Sequence, residues 1–299
     1  MAEFTAIRGR RMELDPSKRI GGGAMSNVYA VDEDTIVKVL KSGDMKDAER
    51  EILLSKWAFK QGIPTAISFD VVDVDGHPGL VYESLGRGNL RRLLREHPED
   101  FDRTMDMYVQ LLHKINSIEV EEGQLPKAID RYYRCLEGIR ELITPEEYEK
   151  MKALLDTIPD RRNVVHGDCQ IKNVRVVKGE FFLIDLDTLS CGDAIFELSG
   201  LYCCYMAYSQ LHDTDFDPFF EIETDTLYRT LDAVLERYFP KASALTREQN
   251  RQKIAALTYM FMIWCVKCDM PGDDRAARLM YENFQCNLAK VDDLILREE

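Results

Sequence analysis

The chain has 299 residues, 45% of them hydrophobic, and carries 53 acidic against 39 basic side chains, a formal net charge of −14. That length supports one large or two modest domains with ample core material, and the negative charge argues against nucleic acid or an anionic membrane as the main partner. The start, MAEFTAIRGRRMELD, lacks the apolar stretch of a signal peptide, and the longest apolar run, IAALTYMFMIWCVKCDM, is interrupted by Lys267 and Asp269, so a soluble cytoplasmic protein is expected.

Residues 14 to 85 read as a small, mostly β region. RIGGG leads into the alternating strand SNVYAV, and a DEDT turn joins it to TIVKVL. The glycines, Gly22 and Gly23 among them, would let backbone approach phosphate oxygens, and Ser26 would add a hydroxyl donor. The run is neither a Walker loop, lacking G-x-x-x-x-G-K-[ST], nor a dinucleotide fingerprint, since no βαβ unit follows. Lys38 sits within TIVKVL; standing alone it would be a solvent-facing strand lysine. Following a glycine loop and preceding a glutamate-bearing helix, it matches instead a lysine that holds nucleotide phosphates while paired with a helix carboxylate. Glu49 and Glu51 are the candidates; two apart, they cannot both face one lysine, and Glu51 is the choice. The helix KDAEREILLSKWAFKQG ends at Gly62, a C-cap, with Pro64 beyond, and FDVVDVDGHPGLVYE gives a further strand pair around a DG turn.

After LGRGN the pattern becomes helical: NLRRLLREH, MDMYVQLLHKINSI, AIDRYYRCLEGIREL and PEEYEKMKALLDTI. Then comes VVHGDCQIKNVRVVKGEFFLIDLD, which concentrates the chemistry. Phosphoryl transfer needs a group that orients the attacking hydroxyl and oxygen ligands that hold Mg²⁺ against phosphates. Asp168 fits the first role, Asn173 and Asp185 the second, and a hairpin of VRVV and FFLI around KGE returns Asp185 to Asn173. More helices follow, one long and apolar around residues 251 to 268. A cleft between a β-rich lobe, 1–85, and a helical lobe, 86–299, is the natural place for a nucleotide. Eight cysteines include the C-x-x-C of Cys265 and Cys268, but no second pair has zinc spacing. These two, with Cys169, Cys203 and Cys204, are expected to be buried thiols.

H-G-D-x-x-x-x-N at His166–Asn173, L-I-D-L-D at Leu183–Asp187 and the Gly192–Leu198 stretch resemble the aminoglycoside phosphotransferase and choline kinase superfamily. REILLSKWAFKQGIP resembles the helix and turn of these enzymes. The resemblance covers about residues 18 to 200 and implies an α+β, two-lobed protein-kinase-like fold. It implies that Asp168 is the catalytic carboxylate, that Asn173 and Asp185 bind Mg²⁺, and that Lys38, held by Glu51, contacts the nucleotide phosphates. It makes ATP the nucleotide, with GTP as an alternative, and places the adenine edge on the hinge at 81–85, including Glu83 and Ser84. His166 then fastens the catalytic loop, and Asp193 binds the backbone N–H groups of that loop. Ala194 stands where the family has proline and Glu197 where it has aspartate, neither expected to touch the chemistry. Asp187, placed by strand alternation on the same face as Asp185, either adds a metal contact or ends the strand.

The expected acceptor is a small-molecule hydroxyl on an amino sugar, amino alcohol or similar metabolite. A protein substrate is disfavoured: Gln170 replaces the lysine of H-R-D-L-K-P-x-N, no D-F-G glycine follows Asp185, and no A-P-E segment lies downstream. A non-catalytic, nucleotide-binding kinase-like protein is the competing class, though every nominal catalytic residue is present. The acidic clusters Asp213–Asp217, Glu221–Asp225 and Asp269–Asp274 read as solvated surface or as the lining of a cationic-acceptor pocket. Tyr132, Tyr133, Tyr202, Tyr205, Tyr208 and Trp264 read as core or as a cation-binding aromatic box. The sequence leaves the oligomeric state open.

Overall fold

Tight turns suited to antiparallel pairing build the first part of the chain in the computed structural model, which describes residues 10–23, 25–212 and 214–299. Strands β1 (Arg10–Arg11), β2 (Arg19–Gly22), β3 (Ser26–Ala30), β4 (Thr35–Leu40), β5 (Ser68–Val74) and β6 (His77–Glu83) form one sheet in the order β1-β5-β6-β4-β3-β2. Only the β1–β5 pair is parallel. The β5–β6 turn uses Asp75 and Gly76 at φ 51° and 83°, the left-handed pair whose twist matches its flanking strands. Along β4 side chains alternate: Val37 and Val39 pack with Val72, Val74 and Val81 on one face, while Ile36 and Leu40 lie on the other with Leu80 and Tyr82. Lys38 shares that second face by the same alternation.

Helix α1 (Met45–Lys60) covers this second face, Ala48 and Ile52 joining its apolar cluster. Its buried residues, Ala48, Glu51, Ser55 and Ala58, recur at helical spacing, so Glu51 lies in the inward stripe while Glu49 is exposed. Asp44 caps the start by accepting the Lys46 N–H. At the end Gly62, at φ 82°, allows a left-handed cap in which Gly62 N–H donates to Phe59 and Ile63 N–H to Ala58, at 2.9 and 3.0 Å.

From β6 the chain passes through α2 (Leu90–Glu96), α3 (Phe101–Asn116), α4 (Ala128–Gly138), α5 (Pro145–Leu155) and strand β7 (Val164–Val165), then forms the hairpin β8 (Val174–Val177) and β9 (Glu180–Leu183). Its turn residues Lys178 and Gly179 also have positive φ. The sequence reading divides the chain after residue 85; the structure divides into one unit running to Leu90 plus Asn173–Asp187, and a second comprising Arg91–Lys172 and Thr188–Glu299. Hydrogen bonds explain the re-entry of 173–187. Thr65 Oγ1 donates to the Leu183 carbonyl at 2.8 Å, Leu183 N–H to Pro64 at 2.7 Å, and Val176 N–H to Gly88 at 3.1 Å.

The second unit continues with β10 (Ser190–Cys191), paired to β7, and α6 (Ile195–Tyr202), which runs into a π-turn at Cys203–Ala207. A small hairpin of β11 (Phe216–Asp217) and β12 (Ile222–Glu223) precedes α7 (Thr224–Tyr238), α8 (Ala244–Asp269) and α9 (Asp274–Leu288). Leu112, Ile115, Leu136, Leu231, Ile254, Leu257, Met260 and Phe284 are among its buried core. Among the described residues no helix is long and apolar enough to cross a membrane. Cys169 is buried as expected; Cys203, Cys204 and Cys265 are only half-buried, and Cys268 is exposed because it falls near the end of α8, where the apolar face gives out.

Candidate active site

In the first unit the Lys38 ammonium lies 3.0 Å from Glu51 Oε1, 3.2 Å from Asp185 Oδ1 and 4.0 Å from Asp187 Oδ2. Tyr82 Oη donates to the same Glu51 oxygen at 2.7 Å, so the carboxylate is held from the sheet as well as from α1. Burial opposes the charge on Lys38, but Glu51, Asp185 and Asp187 more than offset it and hold the ammonium well above the usual lysine range. The lysine is therefore a fixed cation. One ammonium against three carboxylates leaves an excess of negative charge, which suits a divalent cation.

Asp185 has φ 65°, a left-handed backbone adopted mainly by glycine, asparagine and aspartate. It lies just beyond β9, where Ile184 N–H donates to the Asn173 carbonyl at 3.0 Å and makes the Asn173 and Asp185 segments neighbours across the hairpin. Asn173 is buried and Asp185 half-exposed. Amide and carboxylate oxygens are the ligands Mg²⁺ takes, and the donor set fits it. The expectation that strand alternation aligns Asp185 and Asp187 is corrected: β9 stops at Leu183, and Asp187 lies in a short 3₁₀ turn at Leu186–Thr188. Both carboxylates nevertheless face Lys38.

The glycine loop joins β2 to β3, with Gly22 opposite Asn27 and the Gly23 N–H donating to the Ser26 carbonyl at 3.0 Å. Gly22 has φ 157°, a backbone that residues with a Cβ rarely adopt, and a Cβ there would press on the Ser26 carbonyl at 3.1 Å, so glycine is favoured. Lys41, which the sequence reading overlooked, bonds through its ammonium to the Gly23 carbonyl. At the proposed hinge Glu83 ends β6 exposed, and the Ser84 N–H is already engaged by the Asp34 carbonyl at 2.7 Å.

In the second unit the loop after β7 carries Asp168. Gly167, at φ 79°, makes the reversal, and a Cβ there would lie 3.2 Å from the Thr188 carbonyl. His166 is fully buried; its Nδ1 accepts the Asp168 N–H at 3.3 Å, and its carbonyl accepts Thr188 Oγ1 at 2.7 Å. The residue that binds the loop backbone is Glu197, not Asp193. Glu197 Oε2 accepts the His166 N–H at 2.7 Å and Oε1 the Gly167 N–H at 3.2 Å. Asp193 instead accepts the Ile195 N–H and pairs with Arg161, each at 3.0 Å. Glu197 is wholly buried and burial pushes its carboxyl up, although the backbone amides pull it back. Burial, with the Asp168 charge in addition, pushes up the thiols of Cys169, Cys203 and Cys204, so these are inert neighbours of the loop.

The acidic clusters separate once folded. Asp217 is buried, accepting Ser209 Oγ and the N–H groups of Phe219 and Phe220. Glu221 pairs with Arg91, and Asp273 caps α9. Asp215, Glu223 and Asp225 line a cavity of about 470 Å³ with His212 and Tyr228; Asp213 lies outside the described residues. Tyr132, Tyr202 and Tyr205 are buried, Tyr133 bonds to Asp156, Tyr208 lies edge-on to His212, and Trp264 stacks on Phe261.

The family described as phosphotransferase enzyme family matches residues 17–249. No curated protein matches the chain. Among solved structures, aminoglycoside phosphotransferase APH(2'')-Ib bound to ADP superposes with TM-score 0.56 at 16% identity, over 91% of this chain and 92% of that one. Amicoumacin kinase hAmiN, in complex with AMP-PNP, Ca²⁺ and Ami, gives 0.57 at 13% identity over 95% and 91%. A choline/ethanolamine kinase family protein from Mesorhizobium loti gives 0.53 at 12% over 97% and 90%. At such identities the likeness is one of fold: a β-rich lobe and a larger helical lobe, as in protein kinases. With a match that spans most of its length and takes in the Lys38, Asp168 and Asp185 motifs, the chain belongs to the phosphotransferase enzyme family.

Proposed function

We propose that this protein is an ATP-dependent small-molecule kinase that phosphorylates a hydroxyl of an amino sugar, amino alcohol or similar metabolite. The observation that carries the reading is the Lys38 cluster: a partly buried, permanently charged lysine paired with Glu51, itself held by Tyr82, beside the half-exposed carboxylates of Asp185 and Asp187. A structural ion pair would need one carboxylate; the surplus suits a metal–nucleotide complex.

In this reading Lys38 holds the α/β-phosphates, and the glycine loop with Ser26 covers them. Asn173 and Asp185 hold Mg²⁺, which when bound neutralises charge on the phosphates. Asp168 orients the acceptor hydroxyl and takes its proton as the hydroxyl oxygen bonds to the γ-phosphorus and the bond to the β–γ bridging oxygen breaks, releasing ADP. An acceptor that enters the 470 Å³ cavity would meet the carboxylates of Asp215, Glu223 and Asp225, which select for cationic groups.

The test is ADP release across a panel of aminoglycosides, choline, ethanolamine and neutral sugar or amino-acid alcohols. Asp168→Asn is expected to retain fold and nucleotide binding while turnover falls about 10²–10⁴-fold. Undiminished turnover in that variant would remove Asp168 from the mechanism. Nucleotide stabilisation without transfer to any hydroxyl would make the protein a binding module.

A further inference from the structure

Two tyrosines far apart in sequence meet the loop that carries Asp168. Tyr108, on α3, donates to the Cys169 carbonyl. Tyr205, in the π-turn, accepts the Ile171 N–H at 2.9 Å. The two hydroxyl oxygens are 3.0 Å apart, and both side chains are fully buried.

Counting protons fixes the direction of these bonds. A carbonyl only accepts, so the single Tyr108 hydroxyl proton goes to Cys169. The contact between the phenols must then be donated by Tyr205, whose oxygen is free to accept from Ile171. The result is a one-way chain, Ile171 N–H to Tyr205 to Tyr108 to the Cys169 carbonyl, that closes on the loop it started from. Each bond polarises the next, and no member has a spare proton. Burial raises both phenols far above their ordinary range, which keeps the protons in place.

The π-turn supplies the geometry. Tyr208 N–H donates to the Cys203 carbonyl at 2.9 Å, five residues back, so an extra residue is inserted where α6 would otherwise continue. Such insertions are rare and frequent at functional sites. This one sets the Tyr205 hydroxyl against the residues immediately following Asp168.

We propose that Tyr108 and Tyr205 are positioning residues for phosphoryl transfer, and that their closed hydrogen-bond chain fixes the backbone after Asp168 and hence the aim of its carboxylate. This rests on the kinase reading above. Tyr205→Phe, Tyr108→Phe and the double variant keep the ring packing, including the edge-on contact of Tyr205 with Phe220 at 5.8 Å. Steady-state kinetics are measured on each at a temperature well below the lowest unfolding midpoint of the set. The expected result is a fall in kcat of about 10–100-fold in either single variant, with the nucleotide KM within about twofold of wild type. The double variant should fall no further than about the worse single one, because either break opens the same chain. Wild-type kcat in the single variants, with only a lowered midpoint, would show that the chain serves stability alone and overturn the proposal. If one variant does not fold, the other carries the same test. A wild-type protein that binds nucleotide but transfers no phosphoryl group would instead remove the kinase reading, and this role with it.

Discussion

Glu197→Gln should weaken both the fold and the catalytic loop. In the native protein one carboxylate serves two backbone donors, His166 N–H at 2.7 Å and Gly167 N–H at 3.2 Å, with the Asn116 side-chain amide at 3.5 Å. Glutamine keeps one acceptor oxygen and turns an NH₂ group towards the other amide. One charge-assisted bond is lost and one buried donor is left unmatched, each worth about 1–3 kcal/mol. The neutral side chain escapes the burial cost that pushes the Glu197 carboxyl up, which offsets part of this. The net expectation is about 2–3 kcal/mol for Gln. For Glu197→Ala it is about 3–5 kcal/mol, since both amides lose their acceptor and a cavity opens. Urea unfolding at neutral pH measures this, with the m-value checked for constancy, and turnover below the transition should fall with it. If Glu197→Gln changes stability by under about 0.5 kcal/mol, a surface-like value, and keeps full turnover, the loop is held by other contacts and the reasoning fails.

Glu51→Gln retains an acceptor for Tyr82 but removes the charge nearest Lys38; nucleotide KM, read from initial rates, should rise about tenfold with a smaller effect on kcat. Gly167→Ala forces a Cβ into a left-handed residue 3.2 Å from the Thr188 carbonyl, so about 2 kcal/mol should be lost in chemical denaturation and turnover should drop. Asp293 binds Arg297, the buried Lys253 and the Ile295 N–H, which hold its carboxyl far below the usual range. A depressed folded-state value means stability fully present above the ordinary carboxylate pKa and lost progressively as pH falls from there through the depressed value, so unfolding free energy should decline below about pH 4. Asp293→Asn should flatten that decline, and an unchanged acid profile would locate the sensitivity elsewhere.

Local signals were legible in the sequence, and contacts across the chain were not. The turns at Asp75–Gly76 and Lys178–Gly179, the cap at Gly62 and the choice of Glu51 over Glu49 follow from periodicities of two and 3.6 and from positive-φ chemistry, all contained in a few residues. Glu197 was passed over because nothing near it in sequence reveals the loop amides some thirty residues earlier. Tyr205 read as core or as part of an aromatic box, Tyr108 was not singled out, and both are buried. Their hydroxyl chemistry emerged only when an unrecognised π-turn brought them together. The acidic clusters stayed open between surface and pocket for a related reason: like residues in one stretch became a buried turn at Asp217, an ion pair at Glu221 and a cavity wall at Asp215, and only folding sorts them.

The left-handed backbone at Asp185 bears on how such a sequence would decay. At that φ glycine is relaxed, whereas aspartate, although among the better-tolerated side chains there, is still strained, and its half-exposed carboxylate offsets part of that strain through Lys38. Folding alone would favour glycine at this position. A copy of this chain released from selection for turnover should therefore lose Asp185 early and gain thermal stability in doing so, as activity and stability trade against each other at strained sites.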